Sequence, residues 1–389
     1  MSDANTMTFD EYVALMKGKI VNSIVKIEML RNQDESVYSS FTCKPMSGNI
    51  TVNAVSGGIR RSCNLVLPNF NKEYIPNSND INKLWINTKF LLYMGIIDPI
   101  TKKTIFFPQG LYSLINSDLE VVSDHTSKTV NIKADDKWSI LEFPIGRVYQ
   151  TEANEALDGR VRDILSLCGD MKEPIIEYTT VTAPKVLRWS ETDTYGKALK
   201  DLAASWSMEV FYNSTGHLVF QSFKDISVLN NVWDFRTDEV QYMGATRTYK
   251  FSEIINNIVV IGGTVDTTVY KGEASNNDLT SNVRIGLIGT KTLVINDDKI
   301  LTNDGALARA TMELTRRTRM QEMISLTSTP LFHLDVNEAI TVVDKSINLH
   351  RDRYSLQEYS LDITGRTAMT LQAYKFNDIT EYEDRGNPS

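Results

Sequence analysis

Apolar and polar residues alternate along most of this chain, and helices are expected where that period of two gives way to one between three and four. The stretch 303–345 contains both patterns. Leu307, Ala310, Leu314 and Thr318 recur at helical spacing and leave Arg309, Glu313, Arg316 and Arg317 to face elsewhere, with Asn303 as the cap. After Arg319 the period shortens: Ile324 and Leu326 share one face, as do Ile340 and Val342, which is the behaviour of half-buried strands. Pro330 falls where the first strand leaves its ladder, since proline has no N–H to donate. The stretch reads as helix, strand, Pro-marked turn and second strand, on pattern alone a helix packed on a sheet edge.

Upstream, Thr8 and Glu11 have capping-box spacing, Phe9, Val13 and Met16 share a side, and Gly18 stops the chain, which predicts a helix over 8–17. Strands follow over 19–30 and 37–42. Ile50, Val52 and Ala54, then Gly57-Gly58, then Cys63, Leu65 and Leu67 have the alternation of a hairpin. After an Asn-, Pro- and Ser-rich loop over 68–82, LWINTKFLLYMGI and IFFPQGLYSLIN are strands on either side of a turn opened by Pro99. Pro108 and Gly110 inside the second predict a bulge or an edge. Residues 17–150 thus read as an all-β unit, a barrel or sandwich.

The character changes at Glu152. Ala156, Val161, Ile164, Leu165 and Cys168 lie at helical intervals before Gly169, and a second helix from Asp193 or Thr194 carries Tyr195, Ala198, Leu199, Leu202 and Trp206. Val210 and Tyr212 then face Leu218 and Phe220 across an Asn213–Gly216 turn, which makes 151–235 a small α+β domain. Strands return from Val240, with a Gly262-Gly263 break. The chain closes on a hairpin turning at Thr364-Gly365, with Tyr359, Leu361 and Ile363 on one face and Met369, Leu371 and Ala373 on one face of its partner. Residues 1–16 form a helical arm and 377–389 an acidic tail.

At 389 residues the chain is long enough for two or three cores, and 42% hydrophobic with 23% charged residues is the composition of a folded protein. A net charge of −8 argues against general nucleic-acid binding, which depends on cations displacing counterions from phosphates. Cys43, Cys63 and Cys168 form neither a disulfide framework nor a metal motif, and read as reduced thiols made in cytosol. A start without a cationic and apolar leader, and the lack of any run of about 18 apolar residues, predict neither a signal peptide nor a membrane anchor.

Candidate chemistry is sparse. His125, His217, His333 and His350 stand in separate segments without ligand spacing, and no nucleophile elbow, His-Glu-x-x-His or phosphate-cradling loop occurs. Asp135-Asp136 and Asp297-Asp298 are adjacent, so in a strand each pair would point to opposite faces rather than converge on a sugar; both read as turns. Trp85, Trp138, Trp189, Trp206 and Trp233 are scattered and read as core. No catalytic, cofactor-binding or metal-ligating residue is expected, and no cofactor.

Taken in order, GGIRRSCNLVL, LWINTKFLLYMGI with FFPQGLYSL, ASWSMEVFYNSTGHLVFQ and TPLFHLDVNEAITVVD resemble the central hub of phage tail baseplates, the family that includes late-control-D-like and related tail-tip proteins. The resemblance covers most of the chain and loosens at Val336-Asn337-Glu338, where many relatives have a Gly-Asp pair. It implies a mainly β fold with an α+β insert: two tube-like β-barrel domains, 17–150 and 236–376, and the small α+β domain 151–235 outside them. It also implies a structural, non-enzymatic homotrimer, a pseudo-sixfold ring adapting the hexameric tail tube to the tip, assembled in the host cytoplasm and placed at the distal end of the virion tail. Implied partners are tail tube and distal tail proteins, the tape measure protein, and tip spike or fibre proteins. DNA would pass through the channel without stable binding, and three subunits at −8 carry −24 formal charges, which suits a passage that must not hold phosphates. The alternative is a tail-tip protein that binds or degrades cell-wall carbohydrate. Arg60-Arg61 and Arg316-Arg317 would be exposed, on a solvated face or bridging the carboxylates of a neighbouring subunit.

Overall fold

The computed structural model describes residues 6–18, 22–55, 57–123, 128–152, 155–177, 186–205, 208–222, 224, 226, 228–265, 268–297, 300, 302–317 and 320–377. The fold is mainly β with a few helices. Helix α1, Phe9–Met16, begins with the expected capping box: Thr8 Oγ1 accepts from the Glu11 N–H at 3.2 Å and Glu11 Oε2 from the Thr8 N–H at 2.8 Å.

Eight strands follow: β1 (Asn22–Leu30), β2 (Val37–Cys43), β3 (Ser47–Asn53), β4 (Arg61–Pro68), β5 (Lys89–Ile97), β6 (Thr104–Ser113), β7 (Leu119–Ser123) and β8 (Lys128–Asp136). The expected hairpin is β3 with β4, and in its register Ile50 opposes Cys63 while Val52 opposes Arg61. Between β5 and β6, Leu92 pairs with Gly110 and Tyr93 with Pro108, so Gln109 is the extra residue of a bulge, as Pro108 and Gly110 predicted.

Next come α2 (Trp138–Leu141), β9 (Tyr149–Gln150), α3 (Leu157–Cys168), β10 (Ile175–Ile176), β11 (Arg188–Trp189), α4 (Tyr195–Ser205), β12 (Met208–Tyr212) and β13 (Leu218–Ser222). Gly169 ends α3 at φ 84°, a left-handed conformation that suits glycine. Strands β12 and β13 pair as expected, Val210 with Phe220 and Tyr212 with Leu218. The core here starts earlier than Glu152, because Trp138, Leu141, Ile145 and Tyr149 pack with Ile164, Leu199, Leu202 and Phe220. Trp206 lies outside the described residues.

The remainder comprises β14 (Asn231–Arg236), β15 (Tyr242–Tyr249), β16 (Asn257–Val265), β17 (Thr268–Ser275), α5 (Ile285–Ile288), β18 (Thr292–Asp297), α6 (Asn303–Arg317), β19 (Met320–Ser328), β20 (Ala339–Asp344), β21 (Leu349–Asp362) and β22 (Met369–Asn377). Contacts divide the chain into two compact units, Met1–Gly244 with Leu326–Gln372, and Ala245–Ser325 with Ala373–Ser389.

In the first unit one sheet runs in the order β21-β3-β4-β8-β6-β5-β1-β2, with β7 beside β8. Strand β20 lies between β21, antiparallel, and β14, parallel. That central place buries Ala339, Ile340, Thr341 and Val342 alike, so β20 is covered on both faces and not half-buried as its alternation predicts. The turn after β21 is at Thr364-Gly365 as expected, with Gly365 at φ 64°.

In the second unit β17, β16 and β18 form a sheet, broken at Gly262-Gly263 by the expected register shift. Helix α6 packs on it through Ala306 and Ala310, which meet Ile258 and Val260. Leu307, placed by sequence in that stripe, is 47% exposed. The reason is the close approach of helix and strand: a Cβ on Gly272 of β17 would fall 2.2 Å from the Leu307 nitrogen, so only small residues fit between them. Glu313, placed on the outer side by sequence, is buried beneath Arg309 and Arg317 of its own helix, at 3.0 and 3.5 Å. The cap also shifts by one residue. Thr302 Oγ1 accepts from the Gly305 N–H at 3.1 Å, and Asn303 Oδ1 instead accepts from Lys271 N–H of the sheet at 3.0 Å.

Candidate functional site

Polar chemistry in the first unit gathers first around Arg60 and Arg61. Sequence placed this pair on the surface; both are buried, because carboxylates from distant segments converge on them. Arg61 donates to Asp335 Oδ1 at 2.5 Å and to the carbonyl of the bulge residue Gln109 at 2.9 Å. Arg60 donates to Glu209 Oε2 at 2.8 Å and lies 3.9 Å over the Phe211 ring. Asn337, left-handed at φ 64°, reaches the same Glu209 at 3.2 Å. The bridging role expected toward a neighbour is thus carried out within the chain. Arg317 is exposed beside Glu313, and the Arg316 side chain lies outside the described residues.

Asp135 and Asp136 end β8 rather than forming a turn, and they do point apart. Asp135 accepts from Ser62 Oγ at 2.6 Å on the outer face. Asp136 is buried and accepts from the N–H groups of Arg60, Arg61 and Trp138 at 2.9, 3.0 and 2.9 Å. Burial outweighs those donors and pushes its carboxyl up to about 6. Burial likewise lifts Glu338, which accepts from the Asp335 N–H at 2.8 Å, to about 7.

A second node centres on Lys137, which is wholly buried. Its ammonium sits 2.8 Å from Glu35 Oε1, 2.6 Å from Asp170 Oδ1 and 3.2 Å from the Gly216 carbonyl. Lys89 also reaches Glu35 at 2.9 Å, and the Tyr212 hydroxyl donates to Asp170 Oδ2 at 2.7 Å. Burial alone would raise the Glu35 carboxyl, but Lys137 and Lys89 together bring it down to about 2. Glu35 itself is left-handed at φ 54° in the turn between β1 and β2, so the network fastens a strained residue of the β region to the α+β region.

His333 is packed by Tyr12, Phe107 and Trp233, with ring centroids 5.4, 6.1 and 5.1 Å away, and burial pulls its imidazole down to about 4. Tyr12 Oη contacts His333 Nδ1 at 3.1 Å and accepts from the Phe332 N–H at 3.1 Å, which docks α1. His217 and His350 are separate from it, and His125 lies outside the described residues. Trp138, Trp189 and Trp233 are core residues as expected, whereas Trp85 is exposed.

The outer face of β3, β4 and β8 holds a recess of about 460 Å³ lined by Asn49, Thr51, Ser62, Asn64, Lys133 and Asp135, together with Asn116, Ser117, Asp118 and Glu120. A smaller one, about 320 Å³, lies between α1 and the Asp98–Lys103 turn. Neither recess is lined by Glu35, Asp136 or Glu338, whereas the smaller one is lined by Glu11 and Asp98, whose carboxyls are held below the usual range by hydrogen bonds from Lys103 and from Thr101 respectively. Among the described residues no group of three or more His, Cys, Asp or Glu is placed to hold a metal ion, and no helix is long and apolar enough to cross a membrane.

No protein-family model matches the sequence, and no curated protein matches it in sequence. Solved structures match it in fold. The 43 kDa tail protein of prophage MuSo2 from Shewanella oneidensis aligns with a TM-score of 0.62 at 12% identity, covering 90% of this chain and 98% of that one. The tail protein from Neisseria meningitidis MC58 gives 0.62 at 9% identity, covering 92% and 98%. Prophage tail protein gp18 from Listeria monocytogenes EGD-e gives 0.53 at 10% identity, covering 92% and 95%.

Proposed function

We propose that this chain, which has the fold of these phage tail proteins over 90% or more of its length, is a structural hub of a phage or phage-like tail. Its role is to join three copies into a pseudo-sixfold ring that adapts the hexameric tail tube to the tip and lets DNA pass. In this reading residues 17–150 and 236–376 are the two tube-like β-barrel domains and 151–235 is peripheral. Tube, distal tail, tape measure and tip spike or fibre proteins are the partners, at the distal end of the tail.

The observation that carries the reading is the pairing of β21 with β3, in register from Glu358 with Asn53 to Asp362 with Asn49. It joins strands from the first and last thirds of the chain into one sheet. A tube wall requires this kind of continuity, because an edge closed by a neighbour no longer invites aggregation. The role is structural rather than catalytic, and the shifted carboxyls serve the ionic nodes.

Light scattering in solution tests the ring: a mass of three times 44.0 kDa is expected, alone or with tube protein added. A 44.0 kDa species under both conditions, together with turnover of purified cell wall, would instead establish the carbohydrate-directed alternative.

A further inference from the structure

The large sheet of the first unit has outward surfaces of different character at its two ends. At one end, Lys26 of β1 lies 3.9 Å over the Tyr93 ring and 5.2 Å over Phe106, with Ile24 and Leu91 on the neighbouring rows. Aromatic and aliphatic bulk of this kind suits contact with protein. At the other end, register aligns two rows across four strands. One row is Asp362, Asn49, Asn64 and Lys133, and the next is Ser360, Thr51, Ser62 and Asp135. Behind them Leu361, Ile50, Cys63 and Ala134 are buried, so these rows face outward. Their side chains are short and polar. Carboxylates at Glu358, Asp362, Asp135 and Glu120 outnumber the cation Lys133, and Asp362 stays charged because the turn N–H groups of Thr364 and Thr367 bond its carboxylate.

Resting on the ring reading above, we propose that this outward face of β21, β3, β4 and β8 is the wall of the channel, past which a polyanion slides. The chemistry is that of a non-adhesive surface. Phosphates are held when cations displace their counterions, and the two aligned rows offer one cation, Lys133, against the carboxylates of Asp362 and Asp135. Short side chains keep the wall low, and its hydroxyls and amides hold a water layer in place of apolar contact. The recess of about 460 Å³ is the lowest part of that wall.

Biotin tagging after assembly tests this. In a background of Cys43→Ser, Cys63→Ala and Cys168→Ser, single cysteines replace Thr51, Asn64 or Ser360, with Asp163→Cys on the exposed side of α3 as the control. The assembled ring is treated with biotin maleimide and then streptavidin. The wall positions are expected to take the small maleimide and to lose streptavidin capture, while Asp163→Cys does both. Capture at the wall positions equal to that at Asp163→Cys would place the face outside the ring. Failure of even the small reagent to react would make it a subunit interface. Either result overturns the proposal, whereas a protein that never exceeds 44.0 kDa overturns the ring reading beneath it.

Discussion

Glu35→Gln isolates the charge that holds the β1–β2 turn against the α+β region, since glutamine keeps the size and the backbone while removing the carboxylate. In the folded protein the Glu35 carboxyl falls from 4.5 to about 2. At about 1.36 kcal/mol per unit this corresponds to roughly 3 kcal/mol of stabilisation near neutral pH. Because the folded value is the lower one, the contribution is present above the unfolded value of 4.5 and is lost as pH falls from there toward 2. Near pH 3 about 1 kcal/mol should remain. Urea denaturation followed by tryptophan fluorescence measures the difference between wild type and variant at both pH values. The variant should be less stable by about 3 kcal/mol near pH 7, and the gap should narrow to about 1 near pH 3. An equal gap at both would refute the ionic explanation and leave packing around the turn as the cause.

Arg61→Met should cost more than a surface substitution, about 3–5 kcal/mol, because it leaves Asp335 and the Gln109 carbonyl without their donor; a melting curve indistinguishable from wild type would contradict this. Gly48→Ala and Gly169→Ala form a contrasting pair for the same measurement. Both glycines have positive φ, but a Cβ at Gly48 would lie 2.1 Å from the Asn64 carbonyl oxygen and one at Gly169 meets nothing within 4 Å, so the second should cost about 1 kcal/mol and the first clearly more. Burial pushes the thiols of Cys43 and Cys168 up to about 12 and about 11, and raises that of Cys63 well above its ordinary value, so a thiol reagent near pH 8 should label the native protein slowly and all three cysteines after denaturation.

Local features of the fold are legible in the sequence. The capping box at Thr8, the alternation through Ile50, Val52, Cys63, Leu65 and Leu67, the bulge at Gln109 and the helix end at Gly169 each depend on residues within a few positions of one another. What stayed hidden depends on partners far along the chain. Arg61 reads as a surface cation until Asp335, 274 positions away, is brought to it. Leu307 reads as core until Gly272 shows how near the sheet lies to α6. Lys137 carried one faint signal: a lone lysine between a strand-ending Asp135-Asp136 and the apolar run from Trp138 to Leu141. Nothing local names Glu35 or Asp170 as its partners.

The pairing of β21 with β3 also governs when this protein can finish folding. Asn53 leaves the ribosome 305 residues before its partner Glu358, and at about 5–20 residues per second that delay is roughly 15–60 s. Through that interval the β3 edge has no partner from its own chain, and α1 waits still longer, because Tyr12 docks on Phe332, 320 positions downstream. A growing chain with an open edge is exposed to pairing with other nascent chains, which makes the translation rate of the middle third, and chaperone cover during it, determinants of the yield of native subunits.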